Sequence, residues 1–486
     1  MLEAHLNYRL LFPEVFLFIW AIFIFVLDFF LRKENKHNLG YICALGIGIT
    51  LALVFLSDKG SLFGQMFLAD DFSLFFKLIF LVSAFLAILS SIDFIKKIEK
   101  YRGEYFGLIL LSTVGMMFLA SAGELLSLYV ALELTTIPLF VLAAYLKENY
   151  RSSEAGLKYM ILGAISSAVL LYGISLIYGV TGTTDLLAIK SSLIEQFSDF
   201  GKAGPALFLG LIFMIAGFGF KLALVPFHMW APDVYQGAPT PVTAYLSVAS
   251  KAAGLAAFVR IFVQAFVVYQ FDWVTIVYVL AVLGMILGNI IALMQTDIKR
   301  MLAYSSIAQI GYILIGMIAL SERGISALAF YTFAYLFANM GAFIVAITFS
   351  NSTGSDEIKD YADLSRRSPI LAILMTIFLL SLVGIPPLAG FVGKYYLFAS
   401  AIERGYLAIV IVAILTSVIS LYYYVGVVRE MYFHREAEQN PHPVKIAVPF
   451  GLKLALLICF LGVIIAGLYP NPIIDAATQA ARVFYY

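Results

Sequence analysis

Two ionisable side chains lie near the centres of long apolar runs, where a charge is costly to place. Glu133 falls eight residues into the run 125–146, and Lys251 lies in the middle of the run 241–262. A charged residue at the centre of a membrane-spanning helix costs roughly 2.5–3.5 kcal/mol on insertion scales, so it indicates a function. Carboxylates and amines bind and release protons in response to their surroundings. These two residues therefore indicate proton or ion transfer.

Two further lysines occupy apolar runs that are interrupted by proline and glycine. Lys221 precedes Pro226, and Lys394 follows Pro386. Proline removes a backbone donor and breaks a helix, so we expect both runs to form broken helices. Interrupted helices in corresponding places of two halves point to an ion path near the membrane midplane. We also expect Lys221 to form a buried pair with Glu133, because a lone buried charge is strongly disfavoured.

Three other basic residues lie in or near the predicted spans, and two of them have two interpretations each. Lys158 begins a predicted span, and it either anchors the helix at the membrane surface or receives protons there. His228, just past Lys221, either satisfies a loop carbonyl or relays protons, since an unperturbed histidine titrates at about pH 6.5. Lys77 lies near a helix end with two aspartates close by. We expect it to reach the surface and to carry no function.

A short pattern predicts an internal repeat. Gly-Phe-x-x-Lys occurs at 217–221 and again at 390–394, five predicted spans later. A unit with an odd number of spans that is repeated once must be inverted in the membrane. When the two lysines are aligned, Lys251 corresponds to Tyr424, which thereby becomes a possible relay.

The composition places these residues in a membrane protein. Hydrophobic residues make up 62% of the 486-residue chain and charged residues 13%, whereas soluble domains carry about 25% charged residues. Apolar runs recur along the chain at roughly the 17–25 residues that an α-helix needs to cross a bilayer, and they lack the alternation of barrel strands. The sequence predicts an all-α integral membrane protein with about 14 spans, near residues 11–31, 39–57, 72–92, 105–121, 125–146, 157–180, 204–226, 241–262, 273–294, 300–319, 324–349, 370–403, 406–428 and 449–468.

The motifs that are missing narrow the chemistry. Cys43 and Cys459 both lie in apolar runs, so a disulfide framework is not expected and an iron–sulfur cluster held by this chain alone is excluded by count. The sequence has no G-x-G-x-x-G, Walker A or C-x-x-C pattern and no histidine pair at metal-ligand spacing. A net charge of +1 without a long basic run argues against nucleic acid as a partner.

Lysine and arginine are distributed unevenly between the predicted loops. The loops that follow odd-numbered spans hold more than twice as many as the loops on the opposite side. Short cytoplasmic loops are enriched in these residues. Both termini are therefore predicted to face the outside.

Two long motifs resemble those of the antiporter-like membrane subunits of respiratory complex I. One is Gly-Phe-Gly-Phe-Lys-Leu-Ala-Leu-Val-Pro-Phe-His-Met-Trp-Ala-Pro-Asp at 217–233, continued by Tyr-Gln-Gly-Ala-Pro-Thr-Pro at 235–241. The other is Gln-Thr-Asp-Ile-Lys-Arg-Met-Leu-Ala-Tyr-Ser-Ser at 295–306. The likeness runs from about residue 70 to residue 430. At the position of Lys394, N-type subunits also carry lysine, whereas M-type subunits carry glutamate. L-type subunits differ by a long lateral helix, so the chain resembles the N-type subunits most.

The resemblance implies a fold of fourteen helices with two inverted five-helix repeats and with helices 7 and 12 broken. The repeats would comprise helices 4–8, residues 105–263, and helices 9–13, residues 273–430. Helices 1–3 would lie in residues 1–104 and helix 14 in residues 431–486.

The resemblance also implies that the chain moves protons as part of an NADH-quinone oxidoreductase. In these subunits the proposed proton carriers match five residues of this sequence, namely Glu133, Lys158, Lys221, Lys251 and Lys394. Flavin, iron–sulfur clusters and quinone are expected in partner subunits, and no cofactor is expected in this chain.

The expected partners are M-, K- and J-type membrane subunits in a bacterial inner membrane, with both termini on the periplasmic side. One alternative is a subunit of a multi-subunit cation/proton antiporter of the Mrp kind, or of a membrane-bound hydrogenase, since these share the motifs. A purely structural membrane anchor is disfavoured, because four buried charges cost about 3 kcal/mol each.

Overall fold

The computed structural model describes residues 7–98, 102–200, 204–433 and 445–485, and it consists almost entirely of helices. Thirteen helices in these ranges are long and apolar enough to cross a membrane. The predicted span 370–403 adds a crossing that is built from two shorter helices. The predicted class, an all-α integral membrane protein of about 14 crossings, is confirmed.

The helices follow one another in the predicted order. The bounds in the first half are α1 (Phe12–Phe30), α2 (Leu39–Phe55), α3 (Asp71–Lys96), α4 (Arg102–Ser121), α5 (Leu125–Ala143), α6 (Tyr150–Thr181), α7 (Leu186–Phe200), α8 (Pro205–Leu222), α9 (Trp230–Gly237), α10 (Thr240–Tyr245) and α11 (Lys251–Gln264). The bounds in the second half are α12 (Gln270–Ala292), α13 (Ile298–Ile318), α14 (Glu322–Thr353), α15 (Leu364–Arg367), α16 (Pro369–Val383), α17 (Ala389–Glu403), α18 (Leu407–Phe433), α19 (Phe450–Leu468) and α20 (Asn471–Arg482). Parts of the predicted segments 1–104 and 431–486 lie outside the described residues.

The most enclosed helices stand at the centre of the bundle. Helices α10 and α11, together with α13 and α14, are almost wholly covered by other helices. Helices α1, α2 and α6 instead leave apolar side chains exposed along one face, as expected of surfaces that meet lipid or a protein partner. Charged residues on the central helices are therefore kept away from lipid.

The seventh crossing is broken, as predicted, and the break follows Lys221 directly. Helix α8 ends one residue later, and Ala223 adopts a left-handed φ of 56°. Pro226 lacks the backbone N–H that a continuing helix needs. The chain then forms the short helix α9 before the next crossing begins.

The eighth crossing contains a π-helical turn. Leu246–Ser250 forms this turn between α10 and α11, and Lys251 is the first residue after it. Such turns are rare in α-helices and are frequent at functional sites. The wider turn changes the direction in which the following side chains project, so it helps to set where Lys251 points.

The twelfth crossing is also broken, but its lysine lies on the other side of the break. Helix α16 ends at Val383, and Gly384 adopts a left-handed φ of 95°, which only glycine adopts freely. Lys394 lies in α17 after the break, whereas Lys221 lies in α8 before its break. The two Gly-Phe-x-x-Lys segments therefore lie on opposite sides of their breaks, and the alignment of the two lysines stays a prediction. The inverted repeat itself stays a prediction.

A small β-hairpin lies between α2 and α3. Strand β1 (Gly60–Leu62) pairs antiparallel with β2 (Phe67–Ala69). Strands of three residues are too short to show an alternating pattern in sequence, so this hairpin is not predictable from the apolar runs.

Lys77 is buried, and the expectation that it reaches the surface is wrong. Its Nζ lies 2.7 Å from Oε1 of Glu14 on α1, and both side chains are enclosed. The ring of Phe67 lies 5.0 Å from the same nitrogen. An acidic partner from a different helix compensates the charge, and no inspection of neighbouring sequence positions reveals it.

Candidate functional site

Glu133 and Lys221 face the same small cavity, which lies between α5, α6 and α8. The Lys221 Nζ donates a hydrogen bond to Oγ1 of Thr136 at 2.8 Å, and the lysine is 3% exposed. The Glu133 carboxylate accepts a hydrogen bond from Ser167. The cavity, of about 20 Å³, has room for roughly one water molecule. The two charged groups share this space without a direct ion pair, so the predicted contact is not formed.

Lys251 lies at the centre of the molecule and is 1% exposed. Its Nζ donates to Oγ of Ser306 on α13 at 2.7 Å. The same hydroxyl accepts a hydrogen bond from Tyr335 of α14 at 2.8 Å. Asn339, one turn further along α14, donates to Ser247 at 2.7 Å. The hydrogen-bond partner of this lysine among the described residues is therefore a hydroxyl group and not a carboxylate.

A row of hydroxyl and amide groups leads from Ser306 and its neighbour Ser305 towards the twelfth crossing. Ser305 is hydrogen-bonded to the hydroxyl of Tyr424. The neighbouring Tyr423 donates to Oδ1 of Asn289 at 3.0 Å, and Nδ2 of Asn289 donates to the hydroxyl of Tyr312 at 3.0 Å. The row passes from α13 to α18 and then to α12, and it returns to α13.

Lys394 meets the far end of this row. Its Nζ lies 4.3 Å from the centroid of the Tyr312 ring and donates to Oγ of Ser417 at 3.1 Å. It also donates to the carbonyl oxygen of Val383, the last residue of α16, at 2.9 Å. The C-terminal end of a helix carries a partial negative charge. The break in the twelfth crossing can therefore hold an ammonium group without a carboxylate.

Lys158 lies outside the buried row. Its side chain is 41% exposed and pairs with Glu154 at 2.9 Å and Asp233 at 2.6 Å, beside an open polar pocket. Partial burial acts to raise the pKa of the Asp233 carboxyl, but hydrogen bonds from Lys158 and Arg300 outweigh it and hold that pKa below its usual value. Lys158 is thus partly exposed and lies beside this pocket.

His228 lies in the break that follows α8, and its side chain is buried. Burial lowers the pKa of the imidazole, and the positive charge of Lys251 lowers it further, although a hydrogen bond with the backbone of Pro226 acts in the opposite direction. Its Nδ1 has no hydrogen-bond partner within the described ranges. The ring is therefore neutral at pH 7, and it lies within electrostatic reach of Lys251.

The sequence analysis did not identify the neutral hydrogen-bond partners of the charged residues, and it identified no member of the row other than Tyr424. Serine and threonine in helices commonly bond to their own backbone, so their presence in an apolar run is not a signal. Thr136 lies three residues after Glu133 and could have been found from helical spacing. Ser305 and Ser306 end the second long motif, so their place in that motif was a further signal.

A sequence model of the family described as "NADH:quinone oxidoreductase/Mrp antiporter, TM" matches residues 122–420. This range contains more than half of the chain. It includes every buried lysine of the row and both breaks.

Individual proteins extend the match to nearly the whole chain. NADH-quinone oxidoreductase subunit N of Moorella thermoacetica is 46% identical and covers 99% of both sequences. A chain of respiratory complex I from Thermus thermophilus is 32% identical with a TM-score of 0.79, over 96% of this chain and 99% of that one. A chain of the Mrp complex from Dietzia sp. DQ12-45-1b has a TM-score of 0.85 at 20% identity, over 99% and 98%, which shows a shared fold alone.

These matches reach beyond the span from residue 70 to residue 430 that the motifs alone suggested. They include α1 and α2, which precede the first motif by many residues. The chain belongs to the NADH:quinone oxidoreductase/Mrp antiporter family of membrane subunits and, within it, to the NADH-quinone oxidoreductase subunits N.

Proposed function

We propose that this chain carries protons across the membrane as a subunit of an NADH-quinone oxidoreductase, coupled to quinone reduction in partner subunits. The observation that supports this most strongly is the state of three enclosed lysines, Lys221, Lys251 and Lys394. Each one bonds to hydroxyl or carbonyl groups and none forms an ion pair with a described carboxylate. A lysine in such surroundings can give up its proton without leaving an opposite charge unpaired.

The proposed path follows the geometry of the row. Lys158 exchanges protons with water at the polar pocket, and the partly buried Glu133 with the buried Lys221 forms the first station inside the bundle. Lys251 is the central station and Lys394 the last. Each hydroxyl between stations, such as that of Tyr424, accepts a proton on its oxygen and passes its own hydrogen onward. Each hydroxyl is restored by this exchange, while the amide of Asn289 holds the hydroxyls of Tyr423 and Tyr312 in place.

His228 is a second candidate relay on this path. It is neutral at pH 7, so its ring can accept a proton at one nitrogen and release one from the other. Its place in the break between Lys221 and the start of α9 supports a role in passing protons towards Lys251.

The redox chemistry belongs in this proposal to partner subunits, which would hold flavin, iron–sulfur clusters and quinone. No group of three or more metal-ligating side chains occurs among the described residues. The exposed apolar faces of the outer helices would meet lipid or neighbouring M-, K- and J-type membrane subunits. Both termini would lie on the periplasmic side of a bacterial inner membrane, and residues 105–263 and 273–430 would form the two inverted repeats.

Inverted membrane vesicles that contain the assembled complex test the proposal. In sodium-free buffer, NADH should drive acidification of the vesicle lumen. Lys251→Ala should slow both this acidification and electron transfer to quinone at least tenfold. Removing a buried charge spares an insertion cost, so the complex should still assemble. Wild-type acidification by an assembled Lys251→Ala complex would contradict the proposal.

A matched control is Lys59→Met. Lys59 pairs with Asp71 at 2.6 Å, but its side chain is 60% exposed and lies far along the chain from the row. This variant should pump normally. An antiporter of the Mrp kind would instead exchange sodium for protons in the wild type without NADH, and that result would replace the present proposal.

A further inference from the structure

Two long sequence motifs that the proposed path uses only in part meet at one face of the molecule. Asp233 and Gln236 lie on α9, and Asp297 and Arg300 lie at the start of α13. Nη1 of Arg300 donates to Oδ1 of Asp233 at 2.8 Å and to Oε1 of Gln236 at 3.1 Å. Nε2 of Gln236 donates to Oδ2 of Asp297 at 3.0 Å. Residues 61 to 67 positions apart thus form one polar network.

The Asp233 carboxylate holds two cations from different helices. Oδ1 contacts Arg300 of α13, and Oδ2 contacts Lys158 of α6 at 2.6 Å. Helix α6 lies in the first predicted repeat, and α13 lies in the second. One carboxylate on α9 therefore joins the two halves of the molecule.

Arg300 needs an anion at this position. It lies in the first turn of α13, where the helix end carries a partial positive charge that disfavours a cation. Asp297 caps this helix, and its Oδ1 accepts hydrogen bonds from the backbone N–H groups of Lys299 and Arg300 at 2.8 and 3.0 Å. With Asp297 engaged in the cap and with Gln236, Asp233 is the carboxylate that neutralises the guanidinium.

Helix α9 is packed closely against α6 and α8, so it cannot move independently of these two helices. At Gly237, an added Cβ would lie 2.3 Å from the carbonyl oxygen of Arg151 at the start of α6. At the other end of α9, Nε1 of Trp230 donates to the carbonyl oxygen of Phe220 at 2.9 Å. Phe220 directly precedes Lys221, so a displacement of α9 acts on the turn of α8 that holds this lysine.

We propose that Asp233 is a positioning residue that ties α9, and with it the Lys221 end of α8, to both halves of the molecule through Lys158 and Arg300. This inference rests on the proposed proton transfer. Asp233 thereby sets how the segment beside Lys221 is held, through its ion pairs with Lys158 at 2.6 Å and with Arg300 at 2.8 Å.

A double-variant cycle in the assembled complex tests this role. Asp233→Asn and Arg300→Gln should each lower NADH-driven proton pumping by about tenfold, and the double variant should fall no further than the lower single variant, because both remove one shared contact. Asp233→Glu, which keeps the charge, should recover part of the rate. Strictly multiplicative losses, or no recovery with glutamate, would overturn the inference.

The matched control is Lys299→Gln. Lys299 is the neighbour of Arg300 on α13, but it pairs with Asp356 at 2.9 Å and not with α9. This variant should pump at close to the wild-type rate. A loss equal to that of Arg300→Gln would show that any charge at this helix start is needed, and would also overturn the inference.

Lys251→Ala measured in parallel separates the two claims. Loss of pumping with Lys251→Ala, together with normal pumping in Asp233→Asn, would refute the positioning role of Asp233 and leave the proposed function standing. Normal pumping in both variants would refute the proposed function itself, and with it the positioning role of Asp233.

Discussion

Three lysines are held inside this protein by neutral hydroxyl and carbonyl partners. Lys221 bonds to a threonine hydroxyl, Lys251 to a serine hydroxyl, and Lys394 to a helix-end carbonyl. An ammonium group needs acceptors, but a hydroxyl can also donate to a neutral amine. Hydroxyl partners therefore satisfy Lys221 and Lys251 in either protonation state, which a permanent carboxylate partner would not do.

Glu133 and Lys221 should be energetically coupled although they are not in direct contact. Glu133→Ala removes the carboxylate that shares the cavity with Lys221, so the lysine should lose its proton more readily and pumping should fall steeply. Glu133→Asp keeps the charge with a shorter side chain and should retain part of the rate. A double-mutant cycle with Lys221→Ala on pumping should give a coupling of roughly 0.5–3 kcal/mol.

Strict additivity in that cycle would mean that the two residues act independently. Glu133 would then have to act on a different group. Assembly of each variant can be followed from NADH oxidation with an artificial electron acceptor, so that loss of the complex is not mistaken for loss of pumping.

The Tyr424 hydroxyl should be needed for transfer between Lys251 and Lys394. Tyr424→Phe keeps the buried ring and removes only the oxygen that bonds to Ser305, so pumping should slow several-fold while the complex stays assembled. Tyr105→Phe is a matched control, since Tyr105 is also buried and bonds to Ser91 at 3.0 Å away from the row. Equal rates in the two variants would remove Tyr424 from the path.

Helix breaks position two of the lysines, but they do so in different ways. In α8 the lysine lies in the last turn, and its backbone belongs to the helix that ends there. In α17 the lysine reaches back across the break to the end of α16. The arrangement at α17 brings the ammonium group to the carbonyl end of a half-helix, where the partial negative charge favours it, whereas the ammonium group of Lys221 bonds to Thr136 of α5.

Close packing between α11 and α8 should also be needed to place Lys221. At Gly254 an added Cβ would lie 2.9 Å from Cγ of Lys221 and 3.1 Å from Cδ2 of Leu222. Alanine favours the helix by about 1 kcal/mol relative to glycine, so Gly254→Ala should displace the lysine stem without melting α11. We expect a several-fold loss of pumping in an assembled complex.

The control for that variant is Gly179→Ala on α6. An added Cβ there meets no atom within 4 Å, so pumping should be unchanged. A Gly254→Ala complex that pumps as well as this control would show that Lys221 tolerates displacement.

At the scale of the whole molecule, the crossings were predictable because each one is a long apolar run. The charged residues inside the bundle were predictable for the same reason, since Glu133 and Lys251 interrupt such runs at their centres. What could not be predicted is which helices meet. Glu14 and Lys77 form an ion pair although they are 63 positions apart in the sequence, and Lys251 donates to Ser306, which is 55 positions away. No local sequence pattern specifies either contact.

The pattern Gly-Phe-x-x-Lys could not predict on which side of a break its lysine lies, for a related reason. Five residues can recur in two broken helices without lying on the same side of the break, because the position of a break depends on the residues around Ala223 and Gly384 and not on the motif. Asp233 and Arg300 show the opposite case. Both stood in long motifs, and only the fold reveals that the motifs bind to each other.

The central claim is that Lys221, Lys251 and Lys394 carry protons in series along one path. The most direct measurement is NADH-driven proton pumping by the purified, assembled complex in proteoliposomes, compared between the three single Lys→Met variants and the triple variant. A serial path predicts that each single variant slows pumping strongly and that the triple variant is no slower than the slowest single one. Wild-type pumping by an assembled triple variant would contradict the account.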